Sequence, residues 1–159
     1  FLDLVPYLIP IAWFMMTYPS YVIATRIVPR SRNLWAWRPA VAGLGAVIMT
    51  AWDLAMDPMM VAGEHWVWEV QGAYFGVPVQ NYWGWWLTVF TTYALYLLLA
   101  GKPVKPADPS SDRLPVLMYM IVGLANIIPL FIGGFGDLGL IGLFVMLPWA
   151  VAGWLRISL

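Results

Sequence analysis

Apolar and polar positions along this chain fall into long blocks rather than the short periods of a soluble helix or strand. Five blocks are almost wholly apolar: Leu4–Thr25, Ala40–Gly63, Gly84–Gly101, Leu114–Ile132 and Gly139–Ile157. A helix needs roughly 20 mainly apolar residues to cross the hydrocarbon of a bilayer, and each block is near that length. Between them lie Arg26–Pro39, Glu64–Trp83, Lys102–Arg113 and the glycine-rich turn Gly133–Leu138. The pattern predicts an all-α fold. It is a polytopic membrane bundle of about five transmembrane helices, a single domain over residues 1–159, with kinked spans and an aromatic outer loop. Pro58, Pro129 and Pro148 are the expected kink points, because proline removes a helical N–H and crowds the preceding turn.

Composition strengthens that reading. Apolar residues make up 62% of the chain and charged residues 10%, with a mean hydropathy of +0.78. A soluble domain is nearer half apolar and a quarter charged. The segment from Phe1 to Ala24 is apolar enough for a signal peptide. It lacks a basic start and carries Pro6, Pro10 and Pro19, so it reads as a span. Absence of cysteine excludes disulfides and thiolate chemistry.

The formal net charge is zero, but its distribution is uneven. Arg26, Arg30, Arg32 and Arg38 fall in the first connection, Lys102, Lys105 and Arg113 in the third, and Arg156 after the last span. Alternating spans put all of them on one side. The positive-inside rule makes that side, with loops 26–39 and 102–113, cytoplasmic, and the expected host bilayer is the cell membrane. Glu64, His65, Glu69 and Asp137 then face outward, as does the N-terminus.

Candidate chemistry centres on Asp53 and Asp57 in the second span. A spacing of four puts both carboxyls on one helical face, in a stripe that continues through Thr50, Ala46 and Ala42. A charged side chain at mid-bilayer costs at least about 2.5 kcal/mol, so intramembrane acids face the bundle interior and commonly mark a function. The competing reading is a hydrogen-bonded pair that joins helices. Pro58 leaves the Leu54 carbonyl without its helical donor and disfavours helical geometry at Asp57. The helix is therefore expected to kink or open there, exposing polar backbone beside the acids.

The connection Glu64–Trp83 reads EHWVWEVQGAYFGVPVQNYW and leads into GWW. An interfacial aromatic belt explains most of its rings. A lid over a cavity explains the rings together with Glu64, His65 and Glu69, and His65 and Glu69 share a face if the helix continues through them. No nucleotide-binding loop, dinucleotide fingerprint, HExxH helix or Ser-His-Asp arrangement is present. No basic patch beyond the loops supports nucleic-acid binding.

The strings IPIAWFMMTYPSY, MTAWDLAMDPMMVAGEHWVWE, GAYFGVPVQNYWGWWLT and GLIGLFVMLPWAVA resemble the membrane carotenoid hydratases. That family includes γ-carotene 1′,2′-hydratases and bisanhydrobacterioruberin hydratases. Its members are longer, so the resemblance implies a C-terminal portion lacking upstream helices. It also implies addition of water to the terminal double bond of an acyclic carotenoid, the expected substrate, within the lipid bilayer. Protonation of an alkene carbon gives a tertiary cation, which water captures. Such a reaction needs a positioned acid, and two carboxyls on one face can divide the work. Asp53 is the candidate donor and Asp57 the water-holder, with His65, Glu64 and Glu69 as a proton relay. Trp52, Trp66, Trp68, Tyr74, Phe75, Asn81 and Trp85 are the candidate substrate-binding residues, their rings able to face a cation. No metal or cofactor is expected. Two other classes fit the same residues: a pigment-binding subunit working with other membrane subunits, and a Mg²⁺-dependent prenyltransferase using the DxxxD acids. The second needs cations near a diphosphate, and here acids and cations are expected toward opposite sides.

Overall fold

The computed structural model describes residues 8–65, 67–101 and 109–158, and over these it forms five helices with no strand. They are α1 (Leu8–Ile27), α2 (Leu34–Ala62), α3 (Val79–Leu99), α4 (Pro109–Ile132) and α5 (Gly136–Ser158). Each apolar block of the sequence corresponds to one helix. By length and composition α2, α5 and the Ser110–Ile132 portion of α4 can each cross a membrane. At 20 and 21 residues α1 and α3 have the length of a span, but their Tyr, Trp and Thr side chains dilute the apolar content.

Helix starts differ from the expected ones for local reasons. α2 begins at Leu34 rather than Ala40 because Asn33 caps it. The Asn33 side-chain oxygen accepts from the backbone N–H groups of Trp35 and Ala36 at 3.2 and 3.4 Å. α3 begins at Val79 rather than Gly84. Pro78, in extended geometry, precedes its first turn, and proline favours helix starts. Hydropathy alone misses this turn because Gln80 and Asn81 are polar. The shift moves Asn81 and Tyr82 from a loop onto a helix.

α2 is the central helix and packs against the other four. Its Val41, Ala42, Ala46, Ile48 and Met49 are fully buried. Glycines on α5 allow close approach: a Cβ on Gly142 would lie 3.0 Å from that of Ala55, and one on Gly153 3.0 Å from Cγ1 of Ile23. The outer surface is the inverse of a soluble protein's. Phe14, Trp83, Leu87, Ile121, Phe144 and Leu155 are all exposed. An apolar exterior of this extent suits lipid.

Charge is segregated along the bundle. Arg26, ending α1, pairs with Asp112 in the first turn of α4, N to O 2.5 Å. Arg38 donates to the Gly101 carbonyl just beyond α3 at 2.6 Å. These contacts bring one end of each of these four helices together, and Arg30, Arg32, Arg113 and Arg156 lie in the adjoining loop and turns. Lys102 and Lys105 are outside the described residues. At the opposite end Tyr74 and Met59 pack on Ala55, Leu130 and Leu138.

Candidate functional site

Asp53 and Asp57 lie toward this second end of α2. At 1.5 Å per residue they sit about 14 and 8 Å inside its terminus at Ala62. Their relative exposures are 0% and 2%. The expected opening of α2 at Pro58 does not occur. The helix continues to Ala62, because the carbonyl that Pro58 orphans finds another donor. The Tyr74 hydroxyl reaches back from the α2–α3 loop and donates to the Leu54 carbonyl at 2.9 Å. Burial pushes the Tyr74 hydroxyl up to about 12, so its proton stays in place across the physiological range. The backbone beside the acids is covered.

The two carboxyls have different surroundings. The Asn81 side-chain amide, now on the first turn of α3, donates to Asp57 Oδ2. Asp53 Oδ1 and Oδ2 are both covered and without a hydrogen-bond partner among the described residues, as are Thr50 Oγ1 and the Tyr82 hydroxyl. Tyr82 is 8% exposed. Its ring meets that of Tyr74 edge-on with centroids 5.4 Å apart. The ion pair found among the described residues, Arg26–Asp112, is at the far end of the bundle. Buried carboxyls are almost always hydrogen-bonded, so the state of Asp53 requires a reason.

Aromatic rings and an apolar groove lie on the same stretch of α2. Trp52 meets Trp85 edge-on at 6.3 Å, and Trp85 stacks on Trp13 at 4.5 Å. A groove of about 320 Å³ opens between α2, α3 and α5. Thr50 and Leu54 line it on one side, and Trp86, Phe144 and Trp149 line it on the other. Thr50 stands three residues before Asp53 and Leu54 one after it, and neither carboxyl lines the groove.

The outer loop is arranged differently from the helical continuation considered above. Glu64 adopts a left-handed φ of 54° and ends α2. The N–H of Glu64 bonds Val61 O and that of His65 bonds Met60 O at 3.1 and 2.9 Å, the pairing of a Schellman terminus. Glu64, His65 and Glu69 are exposed and do not share a helical face. They are not brought to the acid pair. Further on, Gly72 N–H donates to Gly76 O at 3.0 Å and Val77 N–H to Tyr74 O at 2.8 Å. This tight loop aims Tyr74 inward and leaves Phe75 exposed. A Cβ at Gly72 would fall 1.9 Å from the Val77 carbonyl carbon, so only glycine fits there. Trp68 is half-buried, and Trp66 lies outside the described residues.

Of the residues singled out in the sequence, the fold gathers Asp53, Asp57, Trp52, Tyr74, Asn81 and Trp85 into one region. Tyr82 figured only as one ring among many. The signal that could have marked it is Pro78, which starts a helix and sets Asn81 and Tyr82 on its first turn.

This covered acid pair lies within a stretch that a family model recognises. The model for carotenoid biosynthesis protein matches residues 1–148. The chain belongs to this family. No curated protein and no solved structure matches it. The match in this carotenoid biosynthesis protein spans the acid pair, the Tyr74 loop and all of α3.

Proposed function

We propose that this protein hydrates the terminal C=C bond of an acyclic carotenoid end, with Asp53 as the proton donor. The observation that carries the reading is the asymmetry of the pair. Asp57 is tethered as an acceptor by Asn81, whereas the buried Asp53 has no protein partner for either oxygen among the described residues. An ionised carboxylate in that setting is strongly penalised, and a neutral one carries an O–H to give.

The steps balance without a cofactor. The Asp53 proton passes to the less substituted alkene carbon, leaving a tertiary cation on its neighbour. Water adds through oxygen and releases a proton to Asp57, and return of that proton to Asp53 resets the pair. In this reading the groove beside Thr50 and Leu54 is the lateral path from lipid for an apolar chain, and Trp52 and Trp85 are the rings assigned to the cation. The relay through Glu64, His65 and Glu69 finds no support in their exposed positions. The prenyltransferase alternative is disfavoured because the described cations collect at the opposite end. By the positive-inside rule that basic end is cytoplasmic and the Tyr74 loop lies outside.

The test supplies acyclic carotene to the purified full chain in detergent and follows gain of one water by mass. Wild type is expected to give the tertiary alcohol. Asp53→Asn, isosteric but unable to donate that proton, should lower turnover at least about 100-fold with unchanged unfolding temperature. Full turnover in Asp53→Asn defeats the acid assignment. Pigment that co-purifies unchanged with wild type supports the binding-subunit reading instead.

A further inference from the structure

The hydration reading leaves one requirement without an owner. Water must be held at the cation when it forms. Asp57 accepts from Asn81 through Oδ2 and takes the proton that the water releases, so a separate group to orient that water would complete the site. We propose that Tyr82 is the third functional group of the site, and that its hydroxyl positions the attacking water between the two carboxyls. This inference rests on the hydration reading and assigns one of its steps.

Four observations converge on Tyr82. It is buried, with a relative exposure of 8%, on the first turn of α3. Its hydroxyl is covered and has no hydrogen-bond partner among the described residues, although buried tyrosines usually find one. Its sequence neighbour Asn81 bonds Asp57, which sets the first turn of α3 against the acid pair. Its orientation is fixed from two sides. The Asn81 bond to Asp57 clamps the first turn of α3, and the Tyr74 ring, itself held by the Leu54 carbonyl, abuts the Tyr82 ring. A phenol can accept one hydrogen bond from water and donate another. It can therefore hold a water oxygen toward the cation while that water's proton faces Asp57. The Tyr74 hydroxyl cannot substitute, being committed to backbone. Tyr82 neither gains nor loses a proton overall.

The role predicts a particular failure. With Tyr82→Phe the Asp53 proton is still delivered, so the cation still forms, but capture by water is impaired. An uncaptured tertiary cation loses a proton from a neighbouring methyl group to a carboxylate of the pair. The product is an alkene isomer of unchanged mass whose double bond has moved to that methyl carbon. The experiment compares wild type, Tyr82→Phe and Asp53→Asn on acyclic carotene, separating alcohol, shifted alkene and substrate by chromatography and mass. Expected for Tyr82→Phe is an alcohol yield at least tenfold lower, with KM within twofold of wild type and the shifted alkene as the new product. Asp53→Asn should form neither product. Tyr82→Phe that makes alcohol at the wild-type rate overturns the proposal. So does a loss of alcohol without shifted alkene, accompanied by raised KM and a lowered unfolding temperature, since that marks a packing role. Wild type that leaves carotene unhydrated removes the hydration reading itself, whereas active wild type with unaffected Tyr82→Phe removes only the role of Tyr82.

Discussion

Glu64, like Phe75, holds a left-handed backbone conformation near the site. Its left-handed φ of 54° costs a non-glycine residue about 1–2 kcal/mol, and the residue supplies the turn that ends α2. Its side chain is exposed. Glu64→Gly should therefore raise stability by about 1 kcal/mol, read as a higher unfolding temperature in detergent, with hydration unchanged. Loss of turnover in that variant would return Glu64 to the chemistry. The strain explains why the charge cluster read as a candidate relay sits on the surface. A helix continued through His65 and Glu69 would have grouped them, and the turn at Glu64 disperses them. The acid pair, by contrast, was legible from spacing alone. Residues four apart on a helix must share a face, whatever surrounds them.

At the scale of elements, α2 and the loop after it form one unit through a single exchanged hydrogen bond. Pro58 withholds an N–H from the Leu54 carbonyl, and Tyr74 supplies an O–H in its place. Tyr74→Phe should cost about 1–2 kcal/mol, the cost of leaving a covered carbonyl without a donor. In a Pro58→Ala background the backbone N–H returns, and the same Tyr74→Phe change should cost less by about 1 kcal/mol. A double-mutant cycle by thermal or denaturant unfolding measures that coupling, and strict additivity would refute the exchange. The proline was readable as a disruption, but its outcome was not. Whether a freed carbonyl opens a helix or recruits a donor depends on what folds beside it, here a loop residue 20 positions away.

On the scale of the whole molecule, the bundle sorts its groups by end. The described arginines and the Arg26–Asp112 pair occupy one end, and the Tyr74 loop and acid pair lie toward the other. Because the chain has no cysteine, single substitutions report sidedness cleanly. Ser31→Cys should react with an impermeant maleimide only from the cytoplasmic face and Glu69→Cys only from the outside. Labelling of both from one face would overturn the alternating arrangement.

The sequence by itself determined the helical membrane class, the five apolar blocks, the gathering of cations at one end and the pairing of Asp53 with Asp57. These follow from chain-local quantities: run length, charge position and a helical repeat. Only the tertiary structure decided that α3 starts at Val79, that Asn81 tethers Asp57, that Asp53 and Tyr82 find no partner among the described residues, and that Tyr74 closes the gap at Pro58. Each depends on contacts between residues on different elements, and no repeat along one segment encodes which distant side chain will lie opposite it.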